Sequence, residues 1–230
     1  MIVITADQRG STRRGDLVPA ALELLDVRAR GRAGLVLPFE RTVGDEVQGV
    51  LAATDDGAGL AVDVVLDLVR DGGWSVGVGL GDVDRPLPAA SRAASGPAFV
   101  RARAAVERAK VRGPGVPVAV DGAADEPYAT VAGDAQALLR LLGAVVARRS
   151  SSGWEAVDTL AEHAGSRAPQ RATALALGVS EQAVSQRLRA ALWAEESAAR
   201  PLAARLLRAG GLDAPEGGGH DGDDDEEARA

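Results

Sequence analysis

Residues 170–188 read QRATALALGVSEQAVSQRL, a stretch that predicts two helices joined by a tight turn. Ala174 is small, so two helices can cross closely at this position. Gly178, four residues later, tolerates the left-handed backbone that commonly ends a helix. Ser180 is a typical N-cap for the helix that follows. The spacing is that of a helix-turn-helix, with a further helix predicted upstream at residues 154–161.

The second predicted helix has two different faces. Its apolar side chains recur every four residues and predict a buried stripe: Val184, Leu188 and Leu192. Its remaining side chains are short hydrogen-bonding groups and cations, which suit base edges in a major groove and phosphate oxygens. The predicted DNA-binding residues are Arg171, Ser180, Gln182, Ser185, Gln186, Arg187 and Arg189. Arg171 and Arg187 are the candidate phosphate contacts.

The sequence leaves three interpretations of the predicted helix-turn-helix open. It can bind double-stranded DNA, it can serve protein contacts, or it can be an ordinary helical hairpin with a polar outer face. The DNA-binding reading is favoured because the cap, turn glycine and polar face occur together. A single module of this kind seldom binds tightly, so we expect a homodimer that reads two half-sites.

The charge is unevenly distributed along the chain. The net charge of −7 is carried by the C-terminal end, where residues 209–230 hold eight acids and one arginine. Residues 148–208 hold nine arginines and six acids and are mildly basic. We therefore predict a disordered acidic tail at residues 210–230. Such a tail is typical of a solvating extension, and the alternative is that it competes with DNA for the basic face.

Composition favours a soluble, cytoplasmic protein with no membrane partner. The 230 residues are 46% hydrophobic, and no uninterrupted apolar run reaches the length of a membrane span. The chain has no cysteine, which excludes disulfides and thiolate metal sites. Its first residues reach an acid at Asp7 without a basic segment, so they predict a strand and not a signal peptide.

The N-terminal half alternates between strand and helix patterns. The predicted order is β-α-β-β-α-β-α, which favours an α+β fold with helices on one side of a mainly antiparallel sheet. Residues 112–127 are predicted to be a linker or a peripheral hairpin, and residues 134–148 a connecting helix. The predicted division is an α/β domain at 1–130, a helical domain at 131–209 and the tail at 210–230.

Two acids at predicted strand ends suggest a metal site. Asp7 ends the first strand and Asp45 lies at a hairpin tip, and two converging carboxylates favour Mg²⁺ with a phosphate ligand completing its oxygen shell. Gly10 and Ser11 follow the first strand, where backbone N–H groups can approach that phosphate. The competing interpretation is that Asp45 is present because aspartate is favoured in hairpin turns, and that Asp7 caps the first helix.

The order of these motifs resembles the palm-type domain shared by class III nucleotide cyclases and diguanylate cyclases. The chain resembles the SatD family more closely, through Gly-Asp-Glu-Val-Gln-Gly at residues 44–49, Gly-Pro-Ala at 96–98 and Ala-Arg at 102–103. This resemblance covers residues 1–200. It implies a ferredoxin-like, nucleotide-cyclase-like palm sandwich followed by an all-α helix-turn-helix domain.

The resemblance does not extend to catalysis. Where cyclases place an asparagine and an arginine for the transferring phosphates, this chain has Val100 and Ala104, which cannot donate hydrogen bonds. An enzyme is therefore the less favoured expectation. The leading hypothesis is a transcriptional regulator whose N-terminal domain has a sensory or structural role, with a nucleotide as a possible effector. The alternative is a Mg-dependent nucleotide-binding or nucleotide-processing enzyme.

Overall fold

The computed structural model describes residues 1–111 and 115–212, which form a mixed α and β protein. The strands in those ranges are β1 (Ile2–Gln8), β2 (Leu35–Arg41), β3 (Glu46–Leu51), β4 (Trp74–Leu80) and β5 (Val118–Asp121). The helices there are α1 (Ser11–Arg14), α2 (Val18–Ala29), α3 (Asp55–Asp71), α4 (Pro97–Lys110), α5 (Tyr128–Arg148), α6 (Ser151–Glu162), α7 (Pro169–Leu177), α8 (Glu181–Ala190) and α9 (Trp193–Gly211).

The five strands form one sheet in the order β2-β3-β1-β4-β5. The first four pair antiparallel, and β5 pairs parallel to β4 at the edge. The prediction of a linker or hairpin at 112–127 is therefore wrong for Val118–Asp121. This strand has only four residues, too few for a periodic pattern to distinguish it from a loop. Residues 112–114 lie outside the described part of the chain.

Helix α4 covers one face of the sheet at very short range. A Cβ on Gly79 would lie 2.0 Å from the carbonyl oxygen of Ala98, and a Cβ on Gly77 would lie 2.3 Å from the amide nitrogen of Val106. The alternating glycines of β4 are therefore the surface on which the backbone of α4 rests. Because the other long helices pack on the opposite face, the prediction that helices lie on one side only is wrong.

The opposite face carries the main hydrophobic core. Helices α2, α3, α5 and α9 cover it. The β4 side chains that point away from α4 fill the centre of this core: Val76, Val78 and Leu80. Helix α5 is long and apolar enough to cross a membrane by length and composition, which is weak evidence because core helices of soluble proteins meet the same criterion. Its buried side chains pack in this core against α3, α9 and β5, an arrangement compatible with a soluble protein.

Helix α9 returns from the C-terminal helices to the sheet. The carbonyl of Gly211 accepts a hydrogen bond of 2.6 Å from the ammonium group of Met1, and Gly210 packs against Leu80. Gly210 and Gly211 are thus buried helical residues, which corrects the expectation of disorder from residue 210. The rest of the predicted tail, 213–230, lies outside the described residues. The predicted domain boundary between residues 130 and 131 falls inside α5, which spans Tyr128–Arg148. Helices α5 and α9 both pack against the sheet.

Helices α6, α7 and α8 enclose a small core of their own. Its buried side chains are Ala156, Val157, Ala174, Val184, Leu188 and Ala191. Gly178 has a φ of 65° and ends α7, while the hydroxyl of Ser180 accepts the Ala183 N–H at 3.1 Å. Leu192 does not continue the buried stripe as predicted. It is 45% exposed and has a positive φ, because α8 ends at Ala190 and the chain turns sharply into α9.

A buried ion pair fixes these three helices to the rest of the molecule. Arg149, between α5 and α6, pairs with Glu196 of α9, and both side chains are fully buried. Arg149 also donates to the carbonyl of Ala191 at 3.0 Å and lies 4.3 Å from the ring centre of Trp154. The guanidinium therefore joins the end of α5, the end of α8 and the start of α9 in one contact.

Candidate functional site

Within the described part of the chain, the side of α8 opposite its buried residues is exposed to solvent. Gln182, Gln186 and Arg189 are exposed, and they follow one another at spacings of four and three residues along one side of the helix. On α7, Arg171 is also exposed. Because Val184 and Leu188 are buried on the opposite side, α8 presents its polar side chains to solvent as the sequence predicts.

Three of the predicted DNA-binding residues already have partners inside the protein. The hydroxyl of Ser180 caps α8, and the hydroxyl of Ser185 donates to the side chain of Gln170 at 3.1 Å. Arg187 forms an ion pair of 2.7 Å with Glu155 of α6. These contacts tie α8 to α6 and α7, so the three residues shape the surface from which Gln186 and Arg189 project.

The predicted metal ligands lie at the end of the sheet where β1 finishes. Asp7 faces Glu46, and not Asp45, in the register between β1 and β3. The carboxylate of Asp7 forms an ion pair of 2.9 Å with the ammonium of Lys110, at the end of α4. Asp45 contributes its backbone carbonyl, which accepts the N–H of Gln8 at 3.1 Å.

A row of alternating charges crosses this end of the sheet. Arg103 of α4 binds the buried carboxylate of Glu46 at 2.9 Å, and Glu107 lies between Arg103 and Lys110. Burial opposes the charged form of Lys110, but its hydrogen bonds to Glu107 and Asp7 outweigh that effect and raise its pKa above 10.5. The hydrogen bond from Lys110 lowers the pKa of Glu107. Lys110 and Glu107 are therefore charged at neutral pH.

This charge row is a poor donor set for Mg²⁺. The two strand carboxylates, Asp7 and Glu46, are each bound by a cation of α4, so a metal ion would have to displace Lys110 or Arg103. No cluster of three or more His, Cys, Asp or Glu side chains suited to a metal occurs among the described residues. The residues present therefore favour a protein cation over a metal ion beside Asp7. Magnesium binding by Asp7 and Asp45 stays a prediction.

The predicted phosphate-binding residues flank a basic cleft. Gly10 has a φ of 69° and precedes the single-turn helix α1, which starts at Ser11. The cleft beside them has a volume of about 530 Å³, and its cationic lining residues are Arg9, Arg13, Arg14 and Lys110. Sequence reasoning missed these four cations. The sequence feature that could have indicated the basic cleft is the cluster of arginines on both sides of Gly10 and Ser11.

The two positions that depart from the cyclase pattern lie on the outer side of α4. Val100 is 70% exposed, and Ala104 is exposed as well. The neighbouring arginines have structural partners: Arg101 donates to the carbonyl of Leu80 at 2.7 Å, and Arg103 binds Glu46. Both guanidinium groups therefore make contacts within the protein.

No family model matches the chain, and no curated protein and no solved structure shows significant similarity to it.

Proposed function

We propose that the protein is a DNA-binding transcription regulator. In this proposal α7 and α8 are a helix-turn-helix, with α8 as the helix that enters the major groove. The single observation that carries the proposal is the exposed row of Gln182, Gln186 and Arg189 on a helix whose opposite side is buried. Two amides and a guanidinium are the side chains that read adenine and guanine edges.

The anchoring of α8 also supports this function. Base readout requires a helix held in one orientation, because hydrogen bonds to base edges depend on angle as well as distance. Arg187 fixes α8 to Glu155 of α6, and Arg149 fixes its last turn through the carbonyl of Ala191. Both contacts act on the inner side of α8 and leave Gln186 and Arg189 available.

The N-terminal part is proposed to be a palm-type, SatD-like domain with a sensory role. The strand order β4-β1-β3-β2, with every neighbouring pair antiparallel, supports this assignment because it is the order of a ferredoxin-like sheet. A cytoplasmic location and a homodimer belong to the same proposal, since a bacterial-type regulator meets DNA in the cytoplasm and reads paired half-sites. A Mg-dependent nucleotide enzyme is the less favoured function because Asp7 is bound by Lys110.

The test begins with selection of random duplex DNA on the full chain at low salt, followed by sequencing of the bound fraction. We expect an enriched site, and a Kd on that site that rises steeply with salt. The variants Gln186→Ala and Arg189→Ala should each weaken specific binding about tenfold or more, as loss of a base contact does.

The matched control is Arg92→Ala, which removes one exposed positive charge far along the sequence from α8. It should leave binding of the selected site nearly unchanged. No enriched sequence, or equal losses for Arg189→Ala and Arg92→Ala, would overturn the proposal and favour a module for protein contacts. Release of pyrophosphate or phosphate from nucleoside triphosphates in Mg²⁺ would instead support the enzyme.

A further inference from the structure

The basic cleft has more positive charge than its surroundings neutralise. Of its four cations, Lys110 is paired with Asp7 and Glu107, and Arg14 donates to the carbonyl of Gly72 at 3.1 Å. The exposed side chains of Arg9 and Arg13 have no hydrogen bond or ion pair within the described part of the chain. Asp7 is the one carboxylate that lines the cleft there.

These cations are arranged around a concave surface. Three arginines approach from the end of β1 and from α1, while Lys110 approaches from the end of α4 on the other side. Guanidinium groups present paired N–H donors that match the oxygens of a phosphate, and several of them together bind a polyanion better than a single charge. The cleft is therefore suited to an anion with more than one negative charge.

An apolar crevice of about 470 Å³ adjoins the basic cleft, and the two share Arg9 and Gly72. Its apolar lining comes from the end of α3, the start of β4, the segment before β5 and the outer side of α5: Val69, Trp74, Val116, Pro117, Leu141 and Ala144. Leu141 is 64% exposed on the outer side of α5, so its side chain is accessible to a ligand in the crevice. Arg140 and Arg148 also line the crevice. A ligand that spans both cavities therefore needs an anionic end and a body with apolar faces and polar edges.

We propose that the basic cleft and the adjoining apolar crevice bind one phosphorylated ligand of the nucleoside phosphate class, without a metal ion. The phosphates would lie among Arg9, Arg13 and Lys110, and the base would lie in the crevice against Leu141. The ammonium of Lys110 stands beside Asp7 where a magnesium ion would otherwise neutralise both the carboxylate and the phosphates. Binding therefore requires no Mg²⁺.

This inference gives the sensory domain of the proposed regulator its ligand class, but it does not depend on DNA binding. The experiment measures binding of small molecules to the full chain in the absence of DNA. Failure of ligand binding would leave the DNA-binding proposal intact, and the reverse also holds.

The experiment is isothermal titration calorimetry of the full-length protein in EDTA. The probes are adenosine and guanosine triphosphates, inorganic triphosphate and the two unphosphorylated nucleosides. We expect saturable binding of at least one nucleoside triphosphate, weaker binding of inorganic triphosphate and no binding of the nucleosides. Adding excess Mg²⁺ should weaken binding, because the metal ion competes with the arginines for the phosphates.

Two pairs of variants separate the parts of the site. Arg9→Ala/Arg13→Ala should weaken the nucleotide and inorganic triphosphate at least about tenfold, since each loses charge-assisted hydrogen bonds, while Arg92→Ala should change neither. Leu141→Glu should weaken the nucleotide and leave inorganic triphosphate less affected. Its control is Leu202→Glu, on an exposed position of α9. Circular dichroism checks that each variant folds.

Three results would overturn the proposal: no binding of any probe in EDTA, binding that requires Mg²⁺, or equal losses for the cleft variants and Arg92→Ala. If inorganic triphosphate binds as tightly as the nucleotides and Leu141→Glu affects both equally, the crevice takes no part and the nucleoside class is wrong.

Discussion

Asp7 of β1 and Glu46 of β3 lie directly opposite each other in the sheet, and each carboxylate is bound by a cation of α4. Directly opposed side chains of antiparallel strands point to the same face, so two negative charges meet at this end of the sheet. Lys110 and Arg103 neutralise them from the overlying helix. A helix here has the role that a divalent metal ion has between converging carboxylates.

Removing those two cations should create a metal site. In the variant Lys110→Ala/Arg103→Ala, Asp7 and Glu46 lose their partners and repel each other, so Mg²⁺ should raise the Tm of the variant while leaving that of the natural protein unchanged. Thermal unfolding with and without Mg²⁺ measures this. Adding Asp7→Asn should abolish the gain, and an equal effect of Mg²⁺ on all three proteins would contradict the interpretation.

The buried pair of Arg149 and Glu196 should be costly to break. Arg149→Ala removes one of the two guanidinium partners of the buried Glu196 carboxylate and also the hydrogen bonds to the carbonyl of Ala191. Breaking a buried pair destabilises proteins by about 3–5 kcal/mol, and because Arg200 remains bound to Glu196 we expect the lower end of that range. Denaturant unfolding should show this loss, with less than about 1 kcal/mol for Arg30→Ala, whose pair with Asp26 is exposed. The double variant Arg149→Met/Glu196→Leu should be more stable than Arg149→Ala, because it replaces both buried charged groups with apolar side chains that fill the space.

Asp56 should make stability depend on acid pH. Hydrogen bonds from the guanidinium of Arg32 and the N–H of Gly34 lower its pKa below 3.8. A lowered pKa in the folded state contributes stability above pH 3.8, which is lost as the pH falls through the folded value.

The variant Asp56→Asn should therefore unfold more easily at pH 7, by about 1 kcal/mol or less because the pair is half-exposed. The difference from the natural protein should vanish on acidification. Asp26→Asn, in an exposed pair, is the control and should show a smaller difference at pH 7. A gap that does not narrow as the pH falls below 3.8 would indicate that packing, and not charge, is responsible.

Gly79 should not tolerate a side chain. A Cβ there would lie 2.0 Å from the carbonyl oxygen of Ala98, so Gly79→Ala must push α4 off the sheet at a cost of about 1–3 kcal/mol or more. Gly133→Ala, in α5 with no atom within 4 Å of the new Cβ, should instead stabilise by up to about 1 kcal/mol. Chemical denaturation of both variants provides the comparison, and equal effects would refute the close packing.

Much of the architecture could be predicted from the sequence because most elements are long and periodic. The hairpin between β2 and β3, the helices α2 to α5 and the helices α6 to α8 all follow from local patterns. Strand β5 was not predicted because four residues are too few to show an alternating hydrophobic pattern. The sequence shows the glycines of β4, but their role is to let the backbone of α4 approach the strand. Because local patterns do not show which helix packs on a strand, this contact could not be predicted from them.

The polar face of α8 was predictable, since amphipathic spacing determines which side chains face outward. The partners of Asp7 were not. The ion pair with Lys110 joins residues more than one hundred positions apart, and only the crossing of α4 over β1 brings them together. The sequence predicts that a metal cation lies beside Asp7 and Asp45. In the structure the cation beside Asp7 is the ammonium group of Lys110.

The buried guanidinium of Arg149 also constrains how the molecule loses its structure. One side chain holds the end of α5, the last turn of α8 and the start of α9, and α9 in turn runs back to the amino terminus of β1. Separating α6–α8 from the sheet would break the hydrogen bonds from Arg149 to the carbonyl of Ala191 and would uncover the buried pair of Arg149 and Glu196. We therefore expect the sheet and α6–α8 to unfold in a single cooperative transition, and we expect an excised fragment of α6–α8 to be less stable than the same helices in the full chain.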